Sequence, residues 1–267
     1  MEETWRELRG TFETAAATYD RARPDYPDAL YADLVALAGL HEGSRLLEIG
    51  CGTGKATIAL LRRGYDVTCV ELGADLAGRA RSRFRGYPAS VHVAPFESWD
   101  ATGAAFDLVY AATAWHWIDP AVRYEKAHAL LAPGGHLAFW KAKHAFPSGF
   151  DPFFVEIQSV YEALGEGKDE TWPPPTPEHV PDDVTEIEAT GLFGDTRVRR
   201  YVWETTYTAE QYIALLETFS EHIAMEPSKR AHLFAEVRRR LADRQDGRLR
   251  RHWLAILHVA RRLEPPT

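Results

Sequence analysis

The stretch from Leu46 to Thr57, LLEIGCGTGKAT, constrains the fold of this 267-residue chain more than any other part of its sequence. Three glycines, Gly50, Gly52 and Gly54, alternate directly after an apolar run and before a helix-forming stretch. A strand, a glycine loop and a helix in this order bring the backbone close to a ligand at the carboxyl end of the strand. The spacing of the glycines therefore indicates which ligand to expect.

Two common phosphate-binding loops do not fit this stretch. A P-loop requires glycine, four residues and then Gly-Lys-Ser/Thr, but Ile49 occupies the first position and Ala56 follows Lys55. The dinucleotide fingerprint Gly-x-Gly-x-x-Gly would place Lys55 at its third glycine. The pattern is instead Gly-x-Gly-x-Gly, with Glu48 two residues before it. A carboxylate within an apolar strand is costly unless it meets a partner, and the α-amino group of a ligand would be a natural one.

With these features the sequence resembles the class I S-adenosylmethionine-dependent methyltransferases. Their first motif is an acid followed by three glycines at this spacing, as in Glu48 and the glycine loop. Glu71 ends the next predicted strand, where the family places an acid on the ribose hydroxyls. Residues 106–109 match the fourth strand of the family, and residues 131–137 match the entry to the fifth. The resemblance covers residues 40–141 and implies that S-adenosylmethionine is the cofactor.

Strands and helices alternate along the chain. Apolar and β-branched runs predict strands at 45–49, 66–71, 90–94, 106–111, 136–140, 196–207 and 249–259. Helical patterns fall at 57–63, 74–85, 120–131, 208–222 and 228–244. We therefore expect an α/β fold with a doubly wound, Rossmann-like and mostly parallel seven-stranded sheet. An N-terminal helical cap and an inserted lid after strand five would complete it.

The chain is expected to be a single domain over residues 1–267. We divide it into the N-terminal cap (1–40), the cofactor-binding core (41–142), the insertion or lid (143–195) and the C-terminal strands and helices (196–267). The insertion is expected to be a lid because it is rich in aromatic residues and proline and interrupts the alternating pattern.

Two further segments carry a finer resemblance. Residues 19–27 (YDRARPDYP) and 114–119 (AWHWID) resemble a small-molecule subgroup that includes trans-aconitate methyltransferase-like proteins. The resemblance implies that an N-terminal helix closes over the cofactor, with Tyr19 and Arg23 facing its carboxylate end. Pro95 stands where many relatives carry an acid after strand three. The adenine would then rely on residues 96–97. The full set of expected cofactor contacts is Tyr19, Arg23, Glu48, Gly50, Cys51, Gly52, Thr53, Gly54, Glu71, Leu72, Phe96, Glu97, Ala112 and Trp115.

The chemistry of methyl transfer limits what the protein must supply. In-line displacement at a sulfonium carbon depends mainly on alignment of the acceptor with the methyl group, and a base is needed only if the acceptor must lose a proton. His116, just past strand four, is the leading candidate base, and His144 after strand five is the second. Alternatively, His116 packs between Trp115 and Trp117 and orders the loop. Trp115 and Trp140 are candidates for an aromatic wall around the sulfonium. The predicted acceptor pocket comprises Trp117, Trp140, His144, Phe153 and Trp172.

Composition bears on the partners. A net charge of −8 argues against nucleic acid. Residues 229–262 nevertheless hold eleven Lys or Arg against three acids, which leaves an RNA-binding surface as an alternative to a solvated helix face. No cluster has metal-ligand spacing, so no metal is expected. No run is apolar enough to span a membrane, and the polar start is unlike a signal peptide. We expect two reduced cysteines and a cytoplasmic location.

The favoured function is methylation of a small molecule that has an apolar or aromatic portion. A non-catalytic S-adenosylmethionine-binding sensor or scaffold, and an RNA methyltransferase, are the alternatives. The sequence does not determine whether the methyl group would be transferred to oxygen, nitrogen or carbon.

Overall fold

The computed structural model describes residues 20–101, 103, 105–167 and 174–264. The predicted contacts Tyr19 and Trp172 lie outside these described residues. No helix in the described part of the chain is long and apolar enough to cross a membrane.

The order of elements follows the alternation that the sequence predicts. The strands are β1 Arg45–Ile49, β2 Asp66–Glu71, β3 Ala89–Val93, β4 Phe106–Ala112, β5 Leu131–Trp140, β6 Ala142–Ala145, β7 Phe193–Thr208 and β8 Arg248–Arg262. The helices are α1 Asp28–Leu37, α2 Thr57–Leu61, α3 Ala74–Arg83, α4 Arg123–Leu130, α5 Phe153–Glu156, α6 Gln158–Ala163, α7 Val184–Ala189, α8 Ala209–Leu216, α9 Ser220–Ala224 and α10 Pro227–Ala242. Short 3₁₀ turns span Trp115–Trp117 and Pro177–His179.

One sheet runs through the molecule in the order β3-β2-β1-β4-β5-β8, with β7 on the far edge of β8. Strands β1 to β5 are parallel, whereas β8 is antiparallel to its neighbours. The expected Rossmann-like, mostly parallel sheet is thus confirmed. An eighth strand that the sequence did not predict, β6, follows a break at Lys141 and continues along β8.

The central strands are apolar on both faces because helices cover both faces of the sheet. In β1, Leu46 packs into one core together with Tyr110 of β4. The next residue, Leu47, packs into the core on the opposite face with Val109. This alternation leaves the carboxyl ends of β1, β2 and β4 as the place where polar groups gather.

Part of the segment expected to form a lid contributes to a third core. Phe153 and Phe154 of α5 are buried and pack with Leu215 of α8, Leu233 of α10 and Trp253 of β8. The aromatic richness of this segment therefore reflects the packing of a helical layer in the residues that the structure describes.

Candidate active site

A cavity of about 410 Å³ lies at the carboxyl ends of β1, β2 and β4. Residues 48–53, 70–73 and 112–114, which end or follow these strands, form its base. Residues of the N-terminal segment and residues 218–220, between α8 and α9, contribute to its other walls. In open α/β sheets this is the edge at which ligands bind.

The glycine loop shapes the base of the cavity. Gly52 and Gly54 have φ angles of +57° and +80°, in the left-handed region that favours glycine. A Cβ on Gly54 would lie 2.3 Å from the ring of Phe84. A Cβ on Gly52 would meet no atom within 4 Å, and Gly52 lines the cavity whereas Gly54 does not. One glycine thus permits close packing within the protein, and the other leaves space for a ligand.

Glu71 is fixed at the end of β2 by backbone donors. The Gly52 N–H donates to its Oε2 at 2.8 Å, and the Gly73 N–H donates to its Oε1 at 2.9 Å. The side chain is only 7% exposed, yet it lines the cavity. A carboxylate has about four acceptor positions, so one held in this way can accept ligand hydroxyls in addition to the loop.

Glu48 is buried in β1 and lines the same cavity. Its Oε2 accepts hydrogen bonds from the hydroxyls of Thr57, at 2.5 Å, and Tyr110, at 2.6 Å. The sequence predicts a ligand group as the partner of this carboxylate, but the protein itself supplies two donors. Burial raises the pKa of Glu48 to about 7, although both hydroxyls act to lower it and Glu71 adds to the rise.

Asp20 attaches the N-terminal segment to the glycine loop. Its carboxylate accepts a hydrogen bond from Thr53 Oγ1 at 2.7 Å and pairs with Arg83 at 2.5 Å. The Lys55 ammonium donates to the carbonyl oxygens of Asp20, at 2.7 Å, and Arg23, at 2.5 Å. These contacts hold residues 20–23 over the start of α2.

Contacts between distant parts of the chain close another part of the cavity wall. Arg23 donates through Nε to Thr218 Oγ1 at 2.9 Å, and its guanidinium lies 4.1 Å from the centre of the Phe219 ring. The Tyr26 hydroxyl bonds to Thr113 Oγ1 at 2.7 Å. Thr113 has a φ of +57°, which is strained for a β-branched residue. Such strain is often found at functional sites.

His116 and Trp117 border the cavity from the 3₁₀ turn after β4. The His116 side chain is exposed at the cavity. Partial desolvation by the surrounding protein lowers the pKa of its imidazole, and the positive charges of Lys141, Arg123 and Lys143 lower it further. The imidazole is therefore neutral at pH 7, which is the form that can accept a proton.

The cavity brings together most of the residues expected to contact the cofactor. Those that line it are Arg23, Glu48, Gly50, Cys51, Gly52, Thr53, Glu71, Leu72, Phe96 and Ala112. The sequence analysis missed several other lining residues, namely Tyr26, Lys55, Leu76, Thr113, Ile118, Lys141, Thr218, Phe219 and Ser220. Thr113 and Lys141 directly follow strand ends, a signal that could have identified them. Thr218 is brought to Arg23 across 195 positions, which no local pattern reveals.

The remaining predicted residues lie outside the cavity lining because they have partners elsewhere. Gly54 packs against Phe84, as described above. Glu97 accepts a hydrogen bond from the Asp119 N–H at 3.1 Å. Trp115 is buried and stacks on Phe139, with ring centres 5.2 Å apart, so it packs in a core instead of facing a sulfonium.

Three predicted acceptor-pocket residues are likewise placed in packed regions. Trp140 stacks on Tyr110 at 5.9 Å beneath α1. His144 lies 4.3 Å from the ring of Phe154. Phe153 is fully buried in the helical layer. Of the expected acceptor set, Trp117 borders the cavity. Among the described residues, no three or more His, Cys, Asp or Glu side chains are grouped so that they could hold a metal ion.

Comparison with known proteins agrees with this geometry. A family model described as a methyltransferase domain matches residues 46–135. An uncharacterized methyltransferase of Mycobacterium tuberculosis is 32% identical over 139 residues, 52% of this chain and 55% of that protein. The match therefore spans only about half the length of this relative.

Solved structures share the fold over nearly the whole chain. A candidate type II methyltransferase from Anaeromyxobacter dehalogenans superposes with a TM-score of 0.65, at 22% identity, over 90% of this chain and 97% of that one. Phosphoethanolamine N-methyltransferase 2 of Haemonchus contortus, in complex with S-adenosyl-L-methionine, gives a TM-score of 0.55 at 16% identity, over 96% of this chain and 60% of that one. Residues 46–135 thus match a methyltransferase domain, and the chain as a whole shares the fold of these solved methyltransferase structures.

Proposed function

We propose that this chain transfers the methyl group of S-adenosylmethionine to a small-molecule acceptor by in-line displacement. The observation that carries the proposal is the cavity of about 410 Å³, whose lining includes the glycine loop together with Arg23, Thr218 and Phe219. Its volume lies within the range of about 300–1,000 Å³ that is typical of small-molecule sites. A polynucleotide acceptor would instead require an open basic groove.

The lining residues fit the cofactor group by group. Glu71 would accept the ribose hydroxyls, and the space at Gly52 allows the ligand to approach the backbone. Leu72, Phe96 and Ile118 provide an apolar wall suited to the adenine. Arg23 and Glu48 offer opposite charges to the carboxylate and ammonium groups of the methionine part. The bound cofactor supplies a methyl group that is already activated on its sulfonium.

The protein's own contribution to the reaction is alignment and exclusion of water. Residues 20–26 and 218–220 close over the site, so an enclosed acceptor would be held against the cofactor, an effect worth up to about 7–11 kcal/mol. His116 and Trp117 border the cavity and would lie beside the acceptor. The neutral His116 imidazole would take a proton from an acceptor that has to lose one.

Ion pairs within the basic C-terminal stretch support this proposal over the RNA alternative. Several of its arginines bind acidic side chains of the same chain: Arg238 with Glu210, Arg239 and Arg240 with Glu236, Arg244 with Asp151, and Arg250 with Glu204. Their charges are therefore largely compensated locally. Because phosphate binding depends on uncompensated Lys and Arg, the stretch is a poor RNA-binding surface.

Two measurements test the proposal. Calorimetric titration with S-adenosylmethionine, S-adenosylhomocysteine and NAD should give binding for the first two only. Labelled S-adenosylmethionine should then transfer its methyl group to a component of a small-metabolite pool, and not to total RNA added at equal mass. Binding of NAD alone would refute the proposed cofactor, methylation of RNA alone would favour the RNA enzyme, and tight cofactor binding without any turnover would favour the sensor.

A further inference from the structure

We propose that Lys141 binds an anionic group of the acceptor, a carboxylate or a phosphate, and so selects the substrate. This inference rests on the proposed methyl transfer, because it assigns the acceptor end of the same cavity. Lys141 occupies the break between β5 and β6 and lines the cavity together with His116 and Trp117.

Among the charged side chains of the cavity, Lys141 differs from the others. Five Lys, Arg, Asp or Glu residues line it: Arg23, Lys55, Lys141, Glu48 and Glu71. Both carboxylates accept hydrogen bonds from protein donors. Lys55 binds two backbone carbonyls and lies 3.5 Å from the Asp25 carboxylate, and Arg23 donates to Thr218.

Within the described part of the chain, by contrast, Lys141 forms no ion pair and no side-chain hydrogen bond. Its charged surroundings are mainly of its own sign. Lys141 is an exposed residue at the cavity. Partial desolvation of its ammonium group and the positive charges of Lys143 and Arg23 lower the pKa of Lys141, while Asp183 opposes them more weakly. The same positive region lowers the pKa of His116. In a chain with a net charge of −8, uncompensated positive charge within a cavity provides local attraction for an anion.

The backbone on either side of Lys141 is fixed, so its side chain projects from a defined point. The Thr113 N–H donates to the carbonyl of Trp140 at 2.7 Å. The Ala142 N–H donates to Thr113 Oγ1 at 3.3 Å. The strained Thr113 thereby anchors both neighbours of Lys141. A binding group gains selectivity when its supporting residues are held in this way.

Aromatic rings beside Lys141 indicate the kind of body that the acceptor has. Trp117 and Phe219 line the cavity alongside Lys141. They suit an aromatic or apolar body, while Lys141 supplies the charge. The acceptor class that fits is therefore a small aromatic or apolar molecule bearing a carboxylate or phosphate group.

Binding of matched probe pairs to the protein saturated with S-adenosylhomocysteine tests this assignment. Benzoate is compared with benzamide, and phenyl phosphate with phenol, by calorimetry at constant ionic strength. The wild type should prefer at least one anion over its neutral partner by about tenfold, the scale of one hydrogen bond to a charged group. The better anion identifies the group as a carboxylate or a phosphate.

Variants of the protein test whether Lys141 causes the preference for the anionic probe. Lys141→Met should abolish the preference for the anion, and Lys141→Arg should retain most of it. Lys143→Met is the matched control, because Lys143 lies two residues away and is exposed like Lys141, but does not line the cavity; it should leave the preference nearly intact. Unchanged binding of S-adenosylhomocysteine by each variant shows that the fold and the cofactor site are preserved.

The inference is overturned if the wild type binds no anionic probe, shows no preference for either anion, or retains its preference in Lys141→Met. Failure of the proposed function would look different. In that case the wild type would not bind S-adenosylhomocysteine, or would transfer no labelled methyl group to any acceptor in the pool.

Discussion

Substitution of glycine by alanine should affect stability and cofactor binding differently at Gly52 and at Gly54. Both have positive φ angles, so alanine at either position costs about 1–2 kcal/mol of backbone strain. A Cβ at Gly54 would also lie 2.3 Å from the ring of Phe84, which is 4% exposed and cannot move without disturbing the core. Overpacking of this kind costs a further 1–3 kcal/mol or so. Gly54→Ala should therefore lower the free energy of unfolding by about 2–5 kcal/mol, against about 1–2 kcal/mol for Gly52→Ala.

Urea denaturation of the two variants measures this difference. The effect of alanine on the unfolded chain is common to both positions and cancels in the comparison. The cofactor affinities should follow the other order, since a methyl group at Gly52 enters the cavity and one at Gly54 does not. Gly52→Ala should thus weaken S-adenosylmethionine binding more than Gly54→Ala does, as measured by calorimetry on the folded proteins.

A second substitution isolates the contact with Phe84. Phe84→Leu removes the ring atoms that a Cβ on Gly54 would meet, so the double variant Gly54→Ala/Phe84→Leu should lose less stability than the sum of its single variants. Equal stability losses for the two glycine variants, or strict additivity with Phe84→Leu, would refute the assignment of Gly54 to packing and Gly52 to ligand space.

Two further predictions concern the cavity side chains. Glu71→Ala should weaken S-adenosylmethionine binding by about 1–3 kcal/mol, with Glu71→Gln intermediate; calorimetry that shows no change would remove Glu71 from the ribose site. Since partial desolvation and neighbouring cations lower the pKa of His116, no inflection near pH 6.5 in the rate of methyl transfer should be attributable to this residue. An inflection there that disappears in His116→Asn would contradict the depressed pKa.

The parts of the fold that were predictable are those set by local sequence. Strands such as β1 and β2 are continuous apolar or β-branched runs, and the glycine loop with Glu71 is a local pattern. Strand β6, with only four residues, is too short to show a periodicity. It forms because the long β8 offers a free edge beyond the break at Lys141.

The acceptor end of the cavity was less predictable for a different reason. The sequence does not distinguish an aromatic side chain that borders a cavity from one that fills a core. It therefore predicts Trp140 and Phe153 in a pocket, although both are packed in cores. Residues 218–220 could not be assigned, because only tertiary packing brings them to the N-terminal segment. By contrast, the rule that ligands meet the carboxyl ends of parallel strands would have identified Thr113 and Lys141, which are absent from the predicted site.

Glu48 provides a test of how the cofactor is oriented. Its pKa is raised to about 7 in the ligand-free protein, so roughly three-quarters of the molecules carry a proton on this carboxyl at pH 6.5. If the ammonium group of S-adenosylmethionine binds near Glu48, the positive charge favours the carboxylate and lowers its pKa. Binding should then release about 0.5–0.7 protons at pH 6.5, and affinity should increase as the pH rises towards 7.

The proton release can be counted by calorimetry in buffers of different ionisation enthalpy. The α-amino group of the ligand has a pKa of about 7.7–8.0, so at pH 6.5 it is almost fully protonated and contributes little. Two controls test whether the released proton comes from Glu48. Methylthioadenosine lacks the ammonium group, and Glu48→Gln keeps an oxygen acceptor for Thr57 and Tyr110; both should abolish the release. Wild-type binding without proton release would mean that Glu48 serves only its two hydroxyl donors, and the ammonium group would have to be placed elsewhere in the cavity.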